Sequence, residues 1–339
     1  MSSGTDIGLT TTVPVEAILA AGSRPVDLNN LFMSLADRDA PVETAHRAGF
    51  PLGACAWLKG IYGTVLEEGS PRRVVGVVRG DCSGTEVLLE ALELTGVEVV
   101  PLSFPYPASR ADLEREISRF CDRLGVTMRQ ARAAASELVP ARRLLAELDR
   151  LAWSEDRVKG LDAHLWLVSA SDFRGDPEAF TDELESFVEE AGRADPLSER
   201  AGLPFAREVR LGYLGVPPIT TDIFTAAEEM GARFVFHEVQ RQFSMPEPEA
   251  DLVDMYLAYT YPYTVAGRSL DINRQARQRS LDGLVHYVQS FCHRNMESVV
   301  FNRTLELPVL TLECDCPGDL GAAAMSRLES FIQILGENM

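Results

Sequence analysis

Short apolar runs alternate with longer amphipathic stretches along the chain, and this alternation predicts an α/β fold. The apolar runs are rich in β-branched residues and are typical of parallel strands that are buried on both faces. They are "VVGVVRG" (74–80), "VEVVPLSFP" (97–105), "REVRLGYLGVPP" (207–218), "ARFVFHEV" (232–239), "DGLVHYVQS" (282–290) and "PVLTLECD" (308–315). The segments predicted to be helical are "CAWLKGIYGTVLEEG" (55–69), "TTDIFTAAEEMG" (220–231), "RNMESVVFNRTLEL" (294–307) and "GAAAMSRLESFIQIL" (321–335).

The pattern changes in the middle of the chain, where it becomes helical and charged. Stretches such as "RADLEREISRFCDRLG" are amphipathic, and few β-branched runs separate them. The sequence therefore predicts an N-terminal α/β domain over 1–109, a helical middle segment over 110–203 and a C-terminal α/β domain over 204–339. A chain of 339 residues fits about two domains on the usual size scale.

Composition and charge exclude several classes of protein. The formal net charge of −19 argues against a nucleic-acid partner, because phosphate binding needs a basic surface. No apolar run approaches the ~20 residues that cross a bilayer, so no membrane span is expected. The N-terminus "MSSGTDIGLT" lacks a basic segment followed by an apolar one, and no signal peptide is expected. We therefore expect a cytoplasmic protein, in which thiols are normally reduced.

Three of the six cysteines occupy positions where ligands collect in α/β proteins. Cys82 follows the predicted strand at 74–79, Cys292 follows the strand at 283–289, and Cys55 directly precedes a helix. In open α/β sheets ligands bind at the carboxyl ends of the strands, so all three thiols are expected at one crevice between the domains. Their wide spacing does not fit a zinc ribbon but suits an iron–sulfur cluster. Buried, inert cysteines are the alternative reading.

Five segments, in order, resemble the D-component family of the 2-hydroxyacyl-CoA dehydratases, which includes the double-cubane cluster reductases. The segments are "VPVEAILAAGSRPVDL" (13–28, similar to the family's first strand and turn), "GACAWLKGIYG" with Cys55, "RGDCSGTE" with Cys82, "LGYLGVPPITTDIFTAAEEMGARFVFHEVQRQFS", and the C-terminal portion from "DGLVHYVQSFCHRN" onwards with Cys292. In the C-terminal portion the resemblance extends to Glu313 with Asp315 and to the "RLESF" helix.

The resemblance implies two flavodoxin/Rossmann-like lobes that hold a [4Fe-4S] cluster, or in one branch a double-cubane [8Fe-9S] cluster, through Cys55, Cys82 and Cys292. It implies that a separate ATP-dependent activator protein donates one low-potential electron. The reaction implied is the removal of hydroxide from a 2-hydroxyacyl substrate, such as a CoA thioester, through a ketyl radical. The resemblance also implies a homodimer or a heterodimer with a related subunit.

Two other functions remain open at this point. A double-cubane-type enzyme would reduce small molecules, and a relay subunit would pass electrons without binding substrate. The double cluster needs about twice as many thiolates, and Cys314 and Cys316 are candidate extra ligands, with plain substitution as the other reading. Alternation along an extended segment predicts that both lie on one face. Cys121 has Ile117 at i−4 on the apolar face of a helix, so we expect it in the core.

The remaining candidate residues lie beside the cysteines. His286, Gln289 and His293 flank Cys292 and are the predicted catalytic residues. Trp57 and Lys59 follow Cys55, where contact with a cluster or a CoA phosphate competes with core or surface roles.

Overall fold

A computed structural model describes residues 5–197 and 203–338 of the chain. The strands are β1 (Asp6–Leu9), β2 (Arg24–Asp27), β3 (Arg73–Arg79), β4 (Glu98–Ser103), β5 (Val209–Gly215), β6 (Ala232–His237), β7 (Gly283–Val288) and β8 (Val309–Glu313). The helices up to the middle of the chain are α1 (Val15–Ala20), α2 (Leu28–Ser34), α3 (Asp39–Arg47), α4 (Ala56–Val65), α5 (Ser83–Glu93), α6 (Arg110–Leu124), α7 (Met128–Glu137), α8 (Val139–Ser154), α9 (Gly160–Val168) and α10 (Pro177–Arg193). The later helices are α11 (Ile223–Glu229), α12 (Glu238–Phe243), α13 (Leu252–Ala258), α14 (Val265–Gln278), α15 (Ser298–Thr304) and α16 (Ala322–Glu337).

The chain divides into two compact units. Unit 1 consists of Met1–Arg143, Ser169–Thr181 and Met245–Tyr263, and unit 2 of Leu144–Val168, Asp182–Ser244 and Thr264–Met339. The helical stretch predicted over 110–203 contributes to both units. Its residues 198–202, and residues 1–4 of the predicted N-terminal domain, lie outside the described part of the chain.

Each unit contains one four-stranded, all-parallel sheet, and the two sheets have the same topology. The strand order is β2-β1-β3-β4 in unit 1 and β6-β5-β7-β8 in unit 2. In each sheet the first strand of the unit has the second strand on one side, at the sheet edge, and the third strand on its other side. This 2-1-3-4 order is that of flavodoxin-like sheets, which bind ligands where the strand order reverses. The predicted α/β fold is confirmed.

The unit 2 sheet shows why its strands read as continuous apolar runs. Tyr213 of β5 packs into a cluster with Phe224 of α11 and Leu328 of α16. The next residue, Leu214, packs into a second cluster with Ile272 of α14 and Phe301 of α15. Successive side chains point to opposite faces of a strand, and here helices cover both faces. Alternation of polar and apolar residues is therefore absent.

Two predicted elements differ from the structure. Residues 13–28 were expected to form a strand and a turn, but "VEAILA" forms α1, and the strands β1 and β2 flank it. Val15 and Ile18 are both buried at a spacing of three, and alanine, leucine and glutamate favour the helix. The helix predicted over 294–307 is a 3-10 helix, His293–Glu297, followed by the short α15.

Candidate functional site

Cys82 begins a helix at the carboxyl end of β3. Its backbone is extended (φ −66°, ψ 135°), it forms the N-cap of α5, and its Sγ accepts a hydrogen bond of 3.2 Å from the Gly84 N–H. Gly80 shapes the preceding turn with φ +99°, and a Cβ there would lie 2.8 Å from Pro262 and 2.9 Å from Phe104. An N–H donor and the positive end of a helix both favour a thiolate. The sequence therefore places a thiol at this strand end beside a helix N-terminus and an N–H donor.

Cys55 occupies the same kind of position at the start of α4, with φ −52° and ψ 131°. The loop before it is fixed by Lys59, whose Nζ donates to the Leu52 carbonyl (3.0 Å) and lies 3.1 Å from His46 Nε2. Lys59 is 5% exposed, so it anchors this loop from inside. Trp57 is also buried and meets Phe32 edge to face at 5.8 Å. Both side chains lie in the interior rather than on the surface, and their contact with a cluster or a CoA phosphate stays a prediction.

The two helices that begin at Cys55 and Cys82 are in contact within unit 1. A Cβ built on Gly84 would lie 2.5 Å from Leu58 Cδ1. Leu58 is three residues after Cys55, and Gly84 is two residues after Cys82. Glycine at position 84 thus allows the first turns of α4 and α5 to approach closely, which holds the two cysteine turns in a fixed relation.

Cys292 repeats the Cys82 arrangement in unit 2. It follows β7, the strand that corresponds to β3 in the order of its sheet. With φ −75° and ψ 133° it forms the N-cap of the 3-10 helix His293–Glu297. The turn is closed by bonds from Cys292 N–H to the Gln289 carbonyl (3.0 Å) and from Asn295 N–H to the Cys292 carbonyl (2.9 Å). Both sheets therefore carry a half-buried thiol at the same topological position.

A buried chain of ion pairs supports the Cys292 turn. The guanidinium of Arg268 donates to both Glu238 oxygens (2.7 and 2.9 Å) and to Glu297, and Arg294 donates to Glu297 at 2.8 Å. All four side chains are less than 9% exposed. Arg294 and Glu297 belong to the 3-10 helix that Cys292 caps. The helix after the thiol is therefore anchored to the ends of β6 and α14.

Comparison with known proteins identifies the family of the chain. The model of the family described as 2-hydroxyglutaryl-CoA dehydratase, D-component, matches residues 10–335. The chain belongs to this family. No curated protein matches the chain. The match spans both units, and it confirms the resemblance drawn from the five sequence segments.

The donor set of this D-component chain fits a thiolate-ligated cluster. Cys55 and Cys82 of unit 1 and Cys292 of unit 2 all begin a helix in extended backbone conformation. Thiolates are the protein ligands of iron–sulfur clusters. Residues 5–197 and 203–338 hold no group of three or more His, Cys, Asp or Glu side chains placed to bind a metal ion.

The other three cysteines have different surroundings. Cys121 is buried in α6 as predicted, and burial, followed by the charge of Asp122, raises the pKa of its thiol to about 11. Burial also raises the pKa of Cys314, against a hydrogen bond from the Tyr287 hydroxyl. Cys316 is exposed. The prediction that Cys314 and Cys316 share one face is wrong, because β8 ends at Glu313 and a turn follows.

The three predicted catalytic residues are distributed between the core and the surface. His286 is 0% exposed and lies edge-on to Phe301 at 5.1 Å, and burial lowers its pKa to about 4. Gln289 is 2% exposed, whereas His293 is exposed beside Cys292. The ring of His286 is thus enclosed and neutral, and His293 is the one of the three with solvent access. Their catalytic roles stay a prediction.

No helix in the described ranges is long and apolar enough to cross a membrane.

Proposed function

We propose that this chain is an iron–sulfur component of a 2-hydroxyacyl-CoA dehydratase-type enzyme. The observation that carries the proposal is the family match over residues 10–335, together with thiols at equivalent strand ends of two flavodoxin-like sheets. The ligands would be Cys55, Cys82 and Cys292, each at a helix N-terminus. With three protein thiolates, a [4Fe-4S] cluster keeps one iron without a cysteine.

The chemistry follows from this ligand set. When bound, the cluster would supply one-electron reduction, and its fourth iron would act as a Lewis acid toward a substrate oxygen. The protein's contribution is to hold the three thiolates. The N–H donor to Cys82 Sγ and the helix N-termini stabilise their negative charge. The proposed reaction is the radical removal of hydroxide from a 2-hydroxyacyl thioester. Loss of one proton completes the elimination of water and the added electron is returned, so that no net reductant would be consumed.

The electron would come from a separate ATP-dependent activator protein. The sequence contains no GxxxxGK[ST] motif, and its nearest glycine-rich turn, "RGDCSGTE", lacks the lysine that contacts phosphates in such loops. The family description names one component of an enzyme, and we propose that this chain works as a dimer with itself or with a related subunit.

Turnover under defined electron supply tests the function. The anaerobically purified, iron-loaded chain is incubated with 2-hydroxyacyl-CoA thioesters and either titanium(III) or NADH, with and without the family's activator ATPase, ATP and partner component. We expect dehydrated product only when the activator and ATP are present. Turnover with NADH alone would contradict the dehydratase proposal and favour a simpler reductase.

The iron content separates the two cluster types. About four irons per chain would support the single cubane that we propose. About eight irons, falling when Cys314 or Cys316 is replaced by serine, would place those thiols in a double cubane instead. The burial of Cys314 against Tyr287 supports the single cluster, because that thiol already has a packed position and a hydrogen-bond donor.

A further inference from the structure

The turn that carries Cys292, residues 289–297, is held on its β8 side by two carboxylates. The Asp315 oxygens accept from the Ser290 N–H (2.8 Å) and from the Ser290 hydroxyl (2.6 Å). Glu313 accepts from the Asn295 amide (2.9 Å) and from the Ser290 hydroxyl (3.2 Å). Ser290 precedes Cys292 by two residues, and Asn295 follows it by three. The carboxylates therefore bind the turn on both sides of the cysteine.

The sheet register places these carboxylates opposite the turn. Val288 of β7 pairs with Glu313 of β8, and the Cys314 N–H donates to the Val288 carbonyl at 2.9 Å. Cys314 is buried in the core, whereas Glu313 and Asp315 on either side of it are exposed. Asp315 thus directly follows the last backbone bond between β8 and β7.

The opposite side of the turn is attached to the interior by the ion-pair chain through Arg294 and Glu297. The turn is therefore held from two independent directions. Unlike the buried ion pairs, the carboxylates of Glu313 and Asp315 are exposed. Their oxygens nevertheless accept hydrogen bonds from Asn295 and Ser290 of the turn. Charged acceptors on a backbone N–H form stronger hydrogen bonds than neutral ones.

We propose that Asp315 is a positioning residue for Cys292: its carboxylate fixes the turn through Ser290 and so pre-orders the thiol as a cluster ligand. This inference rests on the proposed function and deepens it. Residues that orient metal ligands without touching the metal commonly contribute about 10-fold or more in metal affinity. Asp315 would act in this way, by orienting Cys292 and not by binding the metal itself.

The test compares Asp315→Ala with Asp319→Ala. Asp319 is a matched control, because it is an exposed carboxylate of the same β8–α16 connection that accepts from the Thr221 hydroxyl at 3.0 Å and not from the Cys292 turn. Asp315→Asn, which keeps one acceptor oxygen for Ser290, serves as the conservative variant. Amide hydrogen exchange of the iron-free protein is measured over peptides covering 289–297, and iron loss to a chelator is measured for the loaded protein.

We expect Asp315→Ala to speed exchange in 289–297 about tenfold, since the Ser290 N–H loses a charged acceptor. The chelator concentration that removes half of the iron should fall about tenfold. Asp319→Ala should change neither, and Asp315→Asn should lie between. Exchange and iron retention of Asp315→Ala that match Asp319→Ala, in a chain whose wild type binds iron, would overturn the positioning role alone. A wild type that binds no iron would overturn the proposed function and this role with it.

Discussion

Replacing Arg268 by methionine should destabilise unit 2 strongly. Methionine has a similar length and no charge, so it leaves Glu238, which is 0% exposed, and Glu297, which is 7% exposed, without their shared guanidinium. Removing one partner of a buried ion pair typically costs about 3–5 kcal/mol, because the remaining charge stays desolvated. Glu297 keeps its bond to Arg294, so we expect the lower end of the range, about 3 kcal/mol.

The matched control is Arg277→Met in the same helix, α14. Arg277 is 63% exposed and pairs with Glu306, which is 53% exposed. Exposed pairs of this kind contribute about 0–1 kcal/mol. Burial of the partner carboxylates is therefore the main difference between the two arginine substitutions.

Urea unfolding, followed by the fluorescence of Trp153 and Trp166 in a Trp57→Phe background, reports on unit 2. With an m value of ~2 kcal/mol/M, Arg268→Met should lower the unfolding midpoint by about 1.5 M, and Arg277→Met by less than ~0.5 M. Equal midpoints for the two variants would refute the reasoning, because the ion-pair chain would then contribute no more than a surface pair.

Two further predictions concern unit 1. Gly63→Ala should cost about 1–3 kcal/mol or more in urea unfolding followed by the fluorescence of Trp57 in unit 1, in a Trp153→Phe, Trp166→Phe background, because its Cβ would lie 2.1 Å from the Pro41 carbonyl oxygen. Gly192→Ala in unit 2, with no atom within 4 Å of its Cβ, should be neutral or stabilising when Trp153 and Trp166 are followed. Burial, and then the neighbouring Asp27, raise the pKa of Asp172 to about 7. This folded-state pKa lies above the ordinary value of 3.8. The protonated Asp172 therefore stabilises the fold fully below pH 3.8, and this contribution is lost as the pH rises from there through about 7. The urea midpoint of unit 1, followed by Trp57 fluorescence, should fall over that window more steeply with Asp172 present than in Asp172→Asn, and equal slopes would contradict the assignment.

The strands that surround the candidate site could be predicted because their signal is local. The runs at 74–79 and 283–289 are apolar on both faces, and β3 and β7 form there. Cys121 was recognised as a core residue from Ile117, one helical turn earlier. In each case the residues that decide the structure are neighbours in sequence.

The first helix was mistaken for a strand because a short apolar run carries little information on its own. "VEAILA" has both an apolar composition and a helical spacing, and its burial in α1 decides between them.

The supports of the Cys292 turn could not be predicted, because their partners are distant in sequence. Arg268 lies 30 residues from Glu238 and 29 from Glu297, and Ser290 lies 25 residues from Asp315. No periodicity joins residues at such separations. Only the register of β7 with β8 and the position of α14 in the fold reveal these contacts.

Iron and acid-labile sulfide, counted together with the EPR spectrum of the anaerobically purified chain, test the central claim most directly. The account predicts about four irons per wild-type chain, with a sharp loss in Cys55→Ser, Cys82→Ser and Cys292→Ser and no loss in Cys121→Ala. A wild-type chain without iron, or Cys55→Ser and Cys292→Ser variants that retain full iron and the same brown absorbance, would contradict it.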